Sequence, residues 1–243
     1  ARYDRGTSYT RLEMYAEAVE DLKLLTASEN ERIRGAVQRM LGMAYLRLND
    51  QQEALRSYSE LAATSQNLSE RADYLILIVE LYMELEQYDE AVSTGRQILA
   101  LDLGDDKGGR EYSVREQTHF LIAESLHSSG NYEDAVSAYI EGLSRYPDSF
   151  YSPDMSYALG TLYFQMDRLD EAADTLTDFV ARFGDSPNAL YGLYYLGYAH
   201  FSLRDFDKSR DVFADLSERF PDSEVAAEAM MRVAESAFNL SEF

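Results

Sequence analysis

Cysteine and tryptophan are absent from the 243 residues, and only four prolines and three histidines are present. Without cysteine the chain has no disulfide, no thiol nucleophile and no thiolate metal site, in whatever compartment it resides. Cations are scarce too. Lys and Arg number 22 against 44 Asp and Glu, a formal charge of −22. Such a chain has little with which to neutralise phosphate, so nucleic acid is not an expected partner and an anionic lipid surface is disfavoured. No apolar run approaches the roughly 18 residues of a membrane span, so direct membrane insertion is not expected. Signatures of catalysis are also missing: there is no Gly-x-x-x-x-Gly-Lys phosphate loop, no Gly-x-Ser-x-Gly elbow and no His-Glu-x-x-His zinc helix. No catalytic residue, metal ligand or cofactor is expected. Apolar residues, in contrast, make up 46% of the chain, enough for a sizeable core.

Those apolar residues are arranged in a repeat. An aromatic or aliphatic residue, two mostly polar residues and a small one recur as Tyr15 to Ala18, Tyr88 to Ala91, Tyr132 to Ala135, Leu169 to Ala172 and Phe206 to Ser209, with a weaker copy at Gln51 to Ala54. The small residues 18, 54, 91, 135, 172 and 209 are 36, 37, 44, 37 and 37 positions apart. Twelve residues before each stands Gly6, Gly42, Val79, Ala123, Gly160 or Gly197. Small residues at two registers, with leucines and aromatics at i, i+3, i+4 and i+7, predict two antiparallel helices per unit that cross closely. The turns between them carry Leu48-Asn49-Asp50 or Ser129-Gly130-Asn131. Pro147 and Pro221 should end second helices, and Asp148-Ser149, Asp185-Ser186 and Asp222-Ser223 offer side-chain oxygens that can cap exposed amides. Asp170-Glu171 and Glu133-Asp134 recur at the start of the second helix, where they complement its dipole rather than form a catalytic pair.

The sequences Leu41-Gly42-Met43-Ala44-Tyr45 and Leu159-Gly160-Thr161-Leu162-Tyr163, with the near match Leu196-Gly197-Tyr198-Ala199-His200, resemble the tetratricopeptide repeat family. The resemblance implies an all-α, right-handed α-solenoid of helix-turn-helix units with a period near 37. It covers one domain, 1–243, in units of about 1–34, 35–71, 72–110 with a loop at 101–112, 113–150, 151–187, 188–224 and a partial 225–243. Leu240-Ser241-Glu242-Phe243 repeats Leu203-Arg204-Asp205-Phe206, so the chain is expected to be a fragment of a longer repeat protein. The loop is rich in Asp and Gly but lacks the Asp-x-Asp-x-Asp-Gly order of a calcium site. Connectors such as Tyr146-Pro147-Asp148-Ser149 and Phe220-Pro221-Asp222-Ser223 are similar to the bacterial envelope branch, of the Tol-Pal-associated and β-barrel-assembly types. That likeness implies a periplasmic or envelope location, with the cytoplasm as the alternative.

In this family residues of the first helices line a concave groove. The resemblance places Phe120, Glu124 and His127 there, then Tyr157, Thr161 and Phe164, then Tyr191, Tyr194, Tyr198 and Phe201, and finally Glu228, Met231, Glu235 and Phe238. Ile76, Glu80 and Met83, with Asp73 and Asp154, occupy the same registers. Tyr191, Tyr194, Tyr198 and Phe201 form one helical face, which fits either packing against a neighbouring helix or an open ligand groove. His119 and His200 fall at core positions. The expected function is a non-enzymatic scaffold for a peptide or helix of a protein partner. The alternative is a groove for peptidoglycan, another glycan or a small ligand, with tyrosines as stacking platforms.

Overall fold

In the computed structural model, which describes residues 1–104 and 113–241, the chain is all-α. Its thirteen helices are α1 (Arg2–Arg11), α2 (Tyr15–Lys23), α3 (Glu31–Arg47), α4 (Gln51–Thr64), α5 (Leu68–Glu84), α6 (Tyr88–Leu99), α7 (Val114–Ser128), α8 (Tyr132–Arg145), α9 (Ser152–Gln165), α10 (Leu169–Phe183), α11 (Ala189–Ser202), α12 (Phe206–Arg219) and α13 (Ala226–Ser241). Tyr15, Gln51, Tyr88, Tyr132, Leu169 and Phe206, the residues that open the sequence repeat, are each the first residue of an even-numbered helix. The loop expected at 101–112, with its calcium alternative, lies mostly outside the described residues. Contacts divide the chain into two compact units, Ala1–Ser129 and Gly130–Phe243. Within each, every helix packs on the next, and odd-numbered helices also meet: α1 with α3 and α5 with α7 in the first unit, α9 with α11 in the second.

The pairs are held by side chains of the second helix pressed onto the backbone of the first. A Cβ added at Gly6 would lie 2.8 Å from Leu22 Cδ2, at Gly42 2.9 Å from Tyr58 Cζ, at Gly160 2.6 Å from Leu176 Cδ2, and at Gly197 2.7 Å from Phe213 Cζ. In all four the partner stands sixteen residues after the glycine. The third repeat departs from this. Its first-helix position is Val79, and the glycine appears on the second helix, where a Cβ at Gly95 would meet Ile122 Cγ1 of α7 at 2.6 Å. Four of the odd-numbered helices carry a buried seam at i, i+3, i+4 and i+7. It comprises Gln38, Leu41, Gly42 and Tyr45 on α3, His119, Ile122, Ala123 and Leu126 on α7, Ser156, Leu159, Gly160 and Tyr163 on α9, and Leu193, Leu196, Gly197 and His200 on α11.

The turns inside the pairs share one backbone solution. Glu13, Asn49, Glu86, Asp167, Arg204 and Gly130 all have positive φ, one per repeat and each five residues before its small residue. After α11 the Asp205 amide donates to the His200 carbonyl at 2.9 Å and the Arg204 amide to the Phe201 carbonyl at 3.0 Å. This is the Schellman pattern, which satisfies the last carbonyls of the helix. Only one of the six positions is a glycine, so the register, not the residue type, marks the turn.

Side chains cap four helices, α3, α5 and α7 between pairs and α4 inside one. Asn30, Asp50, Asn67 and Ser113 accept from the first amides of α3, α4, α5 and α7. The connector serines behave differently from expectation. Ser149 accepts from the Tyr151 amide at 3.1 Å, but the buried hydroxyls of Ser186 and Ser223 have no partner. Tight backbone turns do the work instead, with the Ala189 amide on the Ser186 carbonyl at 3.0 Å and the Ala226 amide on the Ser223 carbonyl at 3.2 Å. Arginines tie these connectors together. Arg182 donates to the Pro147 carbonyl at 2.9 Å and Arg219 to the Gly184 carbonyl at 2.6 Å, each one repeat back. Their guanidinium groups also lie over Phe183 and Phe220.

Glycines therefore fall into two physical classes with opposite substitution effects. Gly197→Leu should destabilise the chain by about 1–3 kcal/mol, because the added atoms must enter space held by Phe213. Gly35, in the middle of α3, has nothing within 4 Å of an added Cβ. Gly35→Ala should stabilise by roughly 0.5–1 kcal/mol through helix propensity. Urea melts of both variants check this, and shifts of the same sign would refute the distinction.

Candidate functional site

On α7, α9 and α11 the residues expected in a groove lie outside the buried seam and are at least partly accessible. In the first unit Phe120, Glu124 and His127 are half-buried along α7, as are Asp73, Glu80 and Met83 on α5. Ile76 is the exception, buried to 7% exposure. Gln117 of α7 donates to Glu80 Oε1 at 3.3 Å, linking the two helices at this face. Burial, with a smaller push from Glu84, raises the Glu80 carboxyl above the usual range.

In the second unit Asp154, Tyr157, Thr161 and Phe164 of α9 are half-buried, as are Tyr194, Tyr198 and Phe201 of α11. Tyr191 is exposed at 38%, and on α13 Met231 and Phe238 are exposed at 58% and 60%. The rings of this face have two kinds of neighbour. Tyr157 and Tyr198 pack their rings on Phe179 and Phe213 of the second helices, at centroid separations of 5.8 and 5.2 Å. Tyr194 and Phe164 instead meet Tyr195, at 5.6 and 5.5 Å, along the face itself. Burial pushes the Tyr157 phenol up to about 12, so it is a neutral hydrogen-bonding group at any physiological pH.

Polar groups fasten this aromatic face from one helix to the next. Asn188, beside α11, donates to Asp154 of α9 at 2.8 Å. The Tyr191 hydroxyl donates to Glu224, and Tyr194 and Tyr198 both donate to Glu228. Arg232 completes the cluster. Its Nε donates to the Tyr198 hydroxyl at 3.0 Å, its Nη1 pairs with Glu235, and its guanidinium lies 5.3 Å from the Tyr198 ring centroid and 5.7 Å from that of Phe201. Tyr198 Oη thus uses both its proton and a lone pair, which fixes the ring. Burial first, then the bond to Glu228, holds this phenol well above its ordinary value. Sequence reading placed the tyrosines, Glu228 and Glu235 on this face but missed Tyr195, Glu224 and Arg232. Arg232 could have been found from its spacing, four after Glu228 and three before Glu235, which puts a cation between two acids on one helix face.

The acids of the cluster are occupied by phenols and an arginine, and no group of three or more metal-ligating side chains exists among the described residues. No described helix is long and apolar enough to cross a membrane. A cleft of about 710 Å³ in the first unit, lined by Arg34, Gln38, Arg39, Glu60 and Tyr74 among others, contains none of the expected groove residues. The recurring acid pairs act structurally: Arg168 bonds Glu171 at 2.8 Å and Glu133 at 3.3 Å on exposed surface.

Behind the face, His200 is buried at 7% exposure where other repeats carry Tyr45 and Tyr163. Its Nδ1 has no hydrogen-bond partner, and burial, reinforced by Lys208, lowers its pKa against the weaker pull of Asp205. The fold therefore favours the neutral ring. The resulting stability is present above the unfolded value of about 6.5 and is lost as pH falls through and below it. Between pH 7.5 and 5.5 the melting temperature should fall further for the parent chain than for His200→Tyr. Equal falls would contradict the assignment.

The comparisons agree with this architecture. The profile of the YfiO family, described as outer membrane lipoprotein, matches residues 114–242, more than half of the chain, and a tetratricopeptide repeat profile matches residues 39–106. No curated protein matches the sequence. Among solved structures, the C-terminal part of a TPR repeat-containing protein from Cytophaga hutchinsonii superposes with a TM-score of 0.70 at 14% identity, covering 98% of this chain and 88% of that one. MamA from Desulfovibrio magneticus gives 0.59 at 18% identity over 78% and 97% of the two chains. A further MamA structure gives 0.61 at 16% over 80% and 94%. At these identities the likeness concerns the fold alone. The repeat register, the glycine crossings and the profile match together place the chain in the YfiO outer membrane lipoprotein family of tetratricopeptide repeat proteins.

Proposed function

We propose that this chain is a non-enzymatic scaffold that holds a peptide or helix of a partner protein on the outward face of its odd-numbered helices, in bacterial envelope assembly or maintenance. The observation that carries the reading is the division of labour on α9 and α11. One face of each helix is buried against the second helix, while the other keeps aromatic rings at least partly accessible, and on α11 Tyr191, Tyr194 and Tyr198 are fastened by hydrogen bonds to Glu224 and Glu228. Rigid, amphipathic rings offer contact area at low entropic cost, which is what a binding surface needs. The acidic surroundings, Asp154, Glu224 and Glu235 among them, favour a neutral or basic partner segment. The envelope setting rests on the family match.

The test uses peptides selected from a random display library on the immobilised chain. Tyr191→Ala and Tyr194→Ala, singly and together, should weaken binding of the selected peptides about tenfold or more for the pair, with the helical circular-dichroism signal unchanged. Tyr198 is unsuitable for this purpose, because its ring also packs on Phe213. Unaltered binding would remove this face from the function. Saturable calorimetric binding of peptidoglycan fragments, with no peptide selected, would favour the glycan alternative.

A further inference from the structure

The cleft of about 710 Å³ in the first unit is lined mainly by polar residues and falls within the roughly 300–1,000 Å³ of small-molecule sites. Residues of α3, α4 and α5 line it, and α4 packs on both of the others. Three of the charges around it are matched. Arg34 donates to the Ser28 carbonyl at 3.1 Å and lies 3.8 Å from Glu31, while Glu60 accepts from the buried Gln38 amide. Two are not. Arg39 of α3 and Glu70 of α5 line the same cleft, and among the described residues neither side chain has a hydrogen bond or an ion pair.

Tyr74 stands one helical turn after Glu70 on α5 and lines the cleft with it. It is 7% exposed, and its ring stacks on Tyr58 with centroids 6.3 Å apart, which holds the side chain in place. Its hydroxyl nevertheless has no hydrogen-bond partner among the described residues and is not sealed from solvent. Burial raises this phenol above its ordinary value, Arg39 draws it down and Glu70 pushes it up, so both charges act at the hydroxyl. We propose that the cleft is a binding site for a small zwitterion, an amino acid or short peptide, whose carboxylate is taken by Arg39 and the Tyr74 hydroxyl and whose ammonium group is taken by Glu70. The guanidinium fork matches a carboxylate, and the hydroxyl adds one further donor. A ligand with a single charge would leave Arg39 or Glu70 unmatched. The site shares no residue with the aromatic face of the second unit, so it is a second binding function rather than part of the first.

Ligand-observed NMR on the 243-residue chain, with a panel of free L-amino acids and alanine di-, tri- and tetrapeptides, finds the ligand, and calorimetry measures its affinity. At least one compound should bind saturably. Arg39→Gln and Glu70→Gln should each weaken it at least tenfold, and Tyr74→Phe, which removes only the hydroxyl, about three- to tenfold. Because Arg39 and Glu70 are exposed, the circular-dichroism spectra of their variants should match the parent. Acetylating the ligand's amine should weaken binding to the parent and leave Glu70→Gln with no further effect, a pairing that a merely structural role would not produce. Tyr191→Ala with Tyr194→Ala should bind the compound as the parent does. Absence of saturable binding across the panel, binding unaltered by Arg39→Gln or Glu70→Gln, or equal binding of free and acetylated ligand overturns the proposal.

Discussion

The structure depends on one contact repeated along the chain: a large side chain of the second helix resting on the bare backbone of the first. At Gly6, Gly42, Gly160 and Gly197 even a methyl group would require the facing side chain to shift. Dispersion and apolar burial at such close approach hold two helices whose turns alone would leave them marginal. Because the contact uses up one face of each odd-numbered helix, it also decides which residues are left outward. The aromatic face of the second unit lies beside the crossing: Gly197 is buried, whereas Tyr191 is exposed and Tyr194 and Phe201 are half-buried.

That dependence explains what was legible in the sequence. Small residues at a fixed spacing are a steric requirement, so they revealed the helix pairs, their first residues and the placement of His119 and His200 in the interior. The groove registers came from the family likeness, and apart from Ile76 they are at least partly accessible. Other features obey looser rules. Five of the six positive-φ turn positions are Glu, Asn, Asp or Arg, because a Schellman turn needs one left-handed residue and the surrounding hydrogen bonds tolerate several types. The serine caps failed at Ser186 and Ser223 because the connector there closes by its own backbone.

The polar fastening of the aromatic face was the least legible feature. The bonds between helices join residues about one repeat apart, Tyr191 to Glu224 and Arg232 to Tyr198 among them, and of these residues only Arg232 is announced by a local pattern. Their effect is to convert tyrosines that could rotate into a surface with fixed rings. Such a surface is suited to binding a segment that orders on contact, since the scaffold side loses little further freedom. The acids that seemed available to choose a partner are partly spent on this task, so selectivity rests on ring geometry as much as on charge.

Hydroxyl-radical footprinting of the second unit, with and without a saturating selected peptide, tests the central claim most directly. The account predicts that oxidation of Tyr191, Tyr194 and Met231 falls on binding while that of exposed Ile140 and Phe150 is unchanged. Protection confined to Ile140 and Phe150, or none on the aromatic face, would contradict it.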